Sequence, residues 1–247
     1  DMRLIKDLHE QTLMRRAADI SARAHRRAMQ ATRPGAMEYE IEAEILHEFR
    51  RSGSEAPAYG SIVAGGANAC VLHYVSNDAE LHGGDLLLID AGCELGGYAS
   101  DITRTWPVSG RFNAAQRDVY QLVLDSQTAA FAEVKPGARF IDYHDAAVKV
   151  LAQGMLDLGL LKGSLDEVID KGDYRRFYMH RTGHWLGMDV HDAGEYRPRG
   201  GGPNEWRTLE AGMVLTVEPG CYIRPADDVP AAFWNIGIRI EDDVIVT

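Results

Sequence analysis

One phrase, written twice, constrains the fold of this chain more than any other feature. Residues 86–93 read Leu-Leu-Leu-Ile-Asp-Ala-Gly-Cys, and residues 214–221 read Val-Leu-Thr-Val-Glu-Pro-Gly-Cys. Each is a short apolar run with strand character that ends in one carboxylate and a Gly-Cys turn. A second strand-like stretch with another acid follows each: Asp101 in Tyr-Ala-Ser-Asp-Ile-Thr-Arg, and Glu241 in Gly-Ile-Arg-Ile-Glu-Asp. Two similar elements, each offering paired carboxylates at the edge of an apolar sheet, predict one metal site built between two halves.

The helical segments come in two sets as well. Leu13, Ala17, Ile20 and Ala24 mark one face of a first helix, and Ile41, Ile45 and Phe49 mark a second. Between them lies Thr32-Arg-Pro-Gly-Ala36. The second half repeats the order: Val119, Leu122 and Ala129–Ala130, then Val134-Lys-Pro-Gly-Ala138, then Val148, Leu151, Met155 and Leu158. Both turns read basic-Pro-Gly-Ala, where Pro and Gly stop one helix and redirect the chain. Two copies at so long a period are not a solenoid. They fit halves facing each other across a pseudo-two-fold axis, an α+β fold with a curved, mostly antiparallel sheet. The Gly/Pro-rich stretch 197–204 reads as a surface loop.

Composition narrows the function classes. A formal net charge of −11 argues against a nucleic-acid or anionic-membrane surface. No apolar run reaches the length of a membrane span, and no secretory leader is read at the start, so a cytoplasmic location is expected. Cys70, Cys93 and Cys221 are too few and too irregularly spaced for a disulfide frame and read as packed thiols.

Three of the nine His lie in the stretch 180–191: His180, His184 and His191. His180 and His184 have the spacing of a zinc-protease helix, but Arg181 stands where that motif needs Glu, and Gly183 and Gly187 weaken a helix there. Asp90, Asp101, His184, Glu218 and Glu241 together offer one imidazole and four carboxylates. Such a set suits Mn(II), Mg(II) or Co(II) better than a thiolate-preferring ion, and four carboxylates balance two divalent ions. Each residue has a plain structural reading too. A lone Asp after a strand is usually a turn-former, Arg239 could pair with Asp242 or Asp243, and Tyr222 could be a core aromatic. His9, His25, His47, His82 and His144 are read as structural.

With these residues in view, the chain resembles the pita-bread metallopeptidases, and the stretch 180–192 resembles the proline-specific branch, the Xaa-Pro aminopeptidases and prolidases. The resemblance covers residues 3–247. It implies metal ligands at Asp90, Asp101, His184, Glu218 and Glu241, with Asp101 and Glu241 bridging two ions, Mn(II) first, Co(II) or Zn(II) as alternatives. Glu218 would also handle the proton of the bridging water. By the same resemblance His73 sits near the scissile region, His180 lines a proline pocket and His191 hydrogen-bonds the scissile carbonyl. Arg239 orients the site electrostatically, and Tyr222 places a hydroxyl near the metals. The expected reaction is hydrolysis of the bond between an N-terminal residue and a following proline by a metal-bridging hydroxide. The expected partners are peptides with proline second, without nucleic acid or membrane, in a homo-oligomer. Residues 1–247 are expected to be one catalytic domain without the N-terminal domain of that branch. An Xaa-Pro dipeptidase and a catalytically idle binding module of the same fold are the alternatives.

Overall fold

The computed structural model describes residues 2–198, 200–202 and 204–247; Arg199 and Pro203 of the predicted surface loop lie outside them. The first half runs α1 (Leu8–Ala31), α2 (Glu38–Arg51), β1 (Ala56–Pro57), β2 (Ile62–Gly65), β3 (Leu86–Asp90), β4 (Cys93–Leu95), β5 (Tyr98–Ala99) and β6 (Thr103–Pro107). The second runs α3 (Ala114–Glu133), α4 (Asp142–Asp157), α5 (Leu165–Lys171), β7 (Val214–Val217), β8 (Gly220–Ile223), β9 (Ile236–Arg239) and β10 (Asp242–Ile245). Every ladder among the described residues is antiparallel.

Local chemistry explains the helix ends. Asp7 and Glu10 form a capping box at the start of α1, and Asn113 with Gln116 does the same for α3. The two Pro-Gly turns are alike down to their hydrogen bonds. Gly35 (φ 83°) donates its N–H to Leu81 O at 2.8 Å, and Gly137 (φ 88°) donates to Leu209 O at 2.9 Å. Both sit in the left-handed region that glycine adopts without steric cost. In α1 the buried face is Met14, Ala17, Ile20 and Ala24. Leu13, predicted on that face, lies at its rim, beside the β4–β5 turn at Gly96.

The repeated apolar runs are unbroken because both of their faces are covered. From β3, Leu87 and Ile89 pack with Ile41, Ile45 and Phe49 of the first helical pair. Leu86 joins the core of α3, α4, β8 and β9, and Leu88 packs with Tyr222. From β7, Leu215 and Val217 meet Tyr143, Ala147 and Trp185. Each fully buried Leu or Ile contributes about 1.5–3 kcal/mol of transfer free energy. The runs are therefore anchored more firmly than their length suggests.

The ladders also correct the sequence reading of the repeat. Asp90 of β3 stands opposite Thr103 of β6, and Val217 of β7 opposite Asp242 of β10. Carrying the second ladder one residue further puts Glu218 opposite Glu241. Asp90 and Glu218 are thus equivalent, but the counterpart of Glu241 is Thr103, and the counterpart of Asp101 is Arg239. The second pair of acids is two residues out of register. The equivalent residues meet one another: Glu241 N–H donates to Thr103 O at 3.0 Å, and Thr103 Oγ1 donates to Glu241 Oε2 at 2.6 Å. Arg104, the counterpart of Asp242, pairs with it at 2.6 Å. Contact between equivalents is what a local two-fold axis requires.

The stretch 182–186 is not helical and instead runs along β7. Glu218 N–H donates to Thr182 O, Thr216 N–H to His184 O and Leu186 N–H to Val214 O, at 2.8, 2.9 and 3.1 Å. Between them Gly183 lies so close to β7 that an added Cβ would sit 1.9 Å from Thr216 O. Gly183→Ala should therefore force His184 away from β7 and cost at least about 2 kcal/mol, seen as a lower urea midpoint. An unchanged midpoint would refute this packing.

Candidate metal centre

Strand ends deliver the carboxylates. Asp90 closes β3, Glu218 follows β7, Glu241 precedes β10 and Asp101 sits two residues before β6. All four line one cavity of about 400 Å³, together with His73, His180, His184, His191 and Arg239. Every predicted site residue except Tyr222 is on this wall. The Tyr222 hydroxyl lies behind it, accepting from Arg239 Nη1 at 2.9 Å and 2.7 Å from His180 Nε2.

His184 points at the centre. Its Nδ1–H donates to Trp185 O at 3.0 Å, which leaves the Nε2 lone pair facing Asp101 Oδ2 at 3.4 Å and Glu218 Oε1 at 3.6 Å. An acceptor aimed at two acceptors is unfavourable unless a cation or proton lies among them. Ligand atoms of Asp101, His184 and Glu241 lie within 4.8 Å of one another. A ring nitrogen fixed by a backbone carbonyl and surrounded by carboxylate oxygens fits a divalent cation.

The electrostatics agree. Burial, then the charge of Asp90, pushes Asp101 well above the ordinary carboxylate range. Burial, then Asp101, does the same to Glu241. Burial and Glu241 push Glu218 up to about 8. The crowding of these buried acids therefore favours a positive charge among them. Arg239 is committed elsewhere: its Nη2 pairs with Asp90 Oδ2 at 2.6 Å and its Nε donates to Thr103 Oγ1 at 3.2 Å. It pairs with neither Asp242 nor Asp243. Asp242 pairs with Arg104, and Asp243 accepts the backbone N–H of Asp101 at 3.1 Å.

Burial opposes charging of two of the wall histidines, His180 and His191. His180 donates Nδ1–H to Arg181 O at 2.7 Å and its Nε2 accepts from Tyr222, so both ring nitrogens are occupied. Burial and then Arg239 lower its pKa to about 3. His191 packs edge-on against His184, ring centroids 4.3 Å apart, and burial, His184 and His73 lower its pKa. Its loop is pinned from the N-terminus: Asp192 is buried between Arg3 and Lys6, with Lys6 Nζ at 3.2 Å. His25 and His144, read as structural, hydrogen-bond Ala91 O and Thr182 Oγ1 respectively.

Sequence reasoning missed Tyr59. Its hydroxyl lies 2.6 Å from Asp90 Oδ1 and 2.5 Å from Asp101 Oδ1, joining the two acids of the first half. Burial, then Asp101 and Asp90, push its pKa well above 10. It sits in the irregular stretch before β2, where no periodicity or motif marks it. The Asp192 clamp was missed for the same reason, since its partner Lys6 lies 186 positions away.

The chain is similar to known proteins along its whole length. Residues 12–247 match the family model for metallopeptidase family M24. The chain is 52% identical to the Xaa-Pro aminopeptidase of Haemophilus influenzae over 247 residues, covering 100% of this chain and 56% of that protein. The solved structure of Pseudomonas aeruginosa aminopeptidase PepP is 56% identical with a TM-score of 0.97, covering 100% of this chain and 55% of that one. A zinc-substituted Escherichia coli aminopeptidase P in complex with product is 49% identical with a TM-score of 0.95, again covering 100% and 55%. The chain spans about half the length of these relatives. Their likeness makes this the pita-bread fold that the family resemblance implied, and no helix of the described residues is long and apolar enough to cross a membrane. The chain belongs to metallopeptidase family M24.

Proposed function

We propose that this chain carries the metal-dependent catalytic machinery of an exopeptidase that releases an N-terminal residue from a following proline. The observation that carries the reading is the convergence of Asp101, His184 Nε2 and Glu241, with Glu218 and Asp90 alongside, in one cavity. The names of the relatives support the substrate class. An idle binding module is disfavoured, since all five ligand candidates face the same space.

In this reading Asp90, Asp101, His184, Glu218 and Glu241 would hold two divalent ions between them. Manganese is the proposed metal, because oxygen donors outnumber the single imidazole. When bound, such ions acidify water and polarise a carbonyl. The rest is done by the protein. Glu218 takes up the water's proton, and the carboxylates hold the substrate's amine. The rings of His73 and His191 line the same cavity and would donate to the scissile carbonyl. Proline has no N–H to satisfy, and His180, with both nitrogens turned into the wall, asks for none. That match is our proposed basis for proline selectivity.

Three outcomes test this. Chelator-stripped protein should regain activity with Mn(II) on peptides with proline second, and Asp101→Asn should abolish turnover while leaving the fold intact. Full activity after chelation, or faster cleavage of Met-Ala than of Xaa-Pro peptides, would sink the proposal. Tyr59→Phe removes the proton shared by Asp90 and Asp101, and should weaken manganese binding roughly 10–100-fold in a calorimetric titration; undiminished affinity would count against that role. The metal-free protein should lose stability as pH rises. Glu218 keeps its proton to about 8 when folded but releases it near its ordinary value of 4.5 when unfolded. Its contribution is therefore complete below 4.5 and lost by about 8. Asp101 and Glu241 act in the same direction. Melting of the chelated protein at pH 5.5 and 8.5 reads this directly, and a higher melting temperature at 8.5 would contradict it.

A further inference from the structure

A second cavity, of about 540 Å³, adjoins the metal centre, and the two share a wall made of His180 and Arg181. Its other walls include His144, Arg175 and Trp206. The Arg181 guanidinium lies over the Trp206 ring, 5.1 Å from its centroid, and Arg197 lies 4.5 Å from the same centroid. Arg175 and Arg181 are both exposed, and no ion pair engages either among the described residues. Their charge is felt within the cavity: burial, then Arg181 and Arg175, hold His144 down to about 4. The acid on this wall is Asp145, exposed near the start of α4.

We infer that this cavity takes a carboxylate carried by the substrate on the C-terminal side of its proline, with Arg181 as the principal contact and Arg175 behind it. The inference deepens the proposed function and rests on it. In a chain of net charge −11, the catalytic cavity is walled by four carboxylates, and the Arg239 guanidinium within it is held by Asp90. A peptide entering it is drawn in by its amine and repelled at its acidic end. The neighbouring cavity offers that end two unpaired guanidiniums beyond His180, the residue proposed to meet the proline. A guanidinium fork matches a carboxylate in two parallel hydrogen bonds, and stacking on an indole holds it ready. The peptide is thus oriented by charge at both ends. The carboxylate can come from the chain end of a short peptide or from an acidic side chain.

The test compares kcat/KM of the intact manganese-loaded protein on Ala-Pro-Ala, its C-terminal amide, and the amide of Ala-Pro-Asp. The free acid should be favoured over the Ala-Pro-Ala amide by roughly fivefold, less so in about 0.5 M salt. The ratio should fall to about one in Arg181→Gln, fall partly in Arg175→Gln and be partly retained in Arg181→Lys. If the Ala-Pro-Asp amide matches the free acid, a side-chain carboxylate is accepted too; if it matches the Ala-Pro-Ala amide, the chain end alone is recognised. Both results support the site. Equal rates on acid and amide forms in the unaltered protein, or a preference that survives Arg181→Gln, would overturn it. Failure to cleave any Xaa-Pro peptide would instead sink the parent reading.

Discussion

Confining Asp90, Asp101, Glu218 and Glu241 to one buried cavity sets the terms for much of the surrounding structure. Four carboxylates cannot all be ionised there without counter-charge. The fold answers with what it has: Arg239 on Asp90, the Tyr59 hydroxyl between Asp90 and Asp101, and Thr103 on Glu241. These groups occupy some carboxylate oxygens and leave others directed toward His184. The upward pKa shifts of Asp101, Glu218 and Glu241 mark where positive charge is favoured. Selective satisfaction of this kind specifies an ion's position more tightly than a loose cluster of acids would.

Much of the architecture was legible because it was written in duplicate. The Pro-Gly turns, the helical pairs and the apolar runs were each visible by comparison with their copies, and their hydrogen bonds are nearly the same. The repeat misled where its copies differ in register. Sequence comparison matched Asp101 with Glu241 because both are acids after a strand-like run. Only the ladder reveals that Thr103 is Glu241's counterpart. Type and order survive in a sequence pattern, whereas register depends on which backbone groups actually pair.

The site was legible in proportion to how much each residue's chemistry is tied to its neighbours in sequence. His184 stood out within a histidine-rich stretch, and Asp90 and Glu218 within the repeated phrase. Tyr59, Arg175 and Trp206 belong to no such pattern; each is placed by elements distant in sequence. Arg181 was noticed only as the residue that spoils a zinc-protease motif. Seen in three dimensions, the same substitution puts a guanidinium on the wall between two cavities.

The pairing of Thr103 with Glu241 bears on the order in which the molecule assembles. Within each half the helices pack in consecutive pairs, α1 on α2 and α3 on α4, and β2 and β6 flank β3. The join across the axis ties residues 138 positions apart, and the Lys6–Asp192 clamp spans 186. Closing such long loops is entropically expensive and slow. Each half can therefore gather its own core early, but the cavity exists only once the halves have met. An ion held by the proposed ligands would then enter last, as a latch on a finished structure rather than a seed for it.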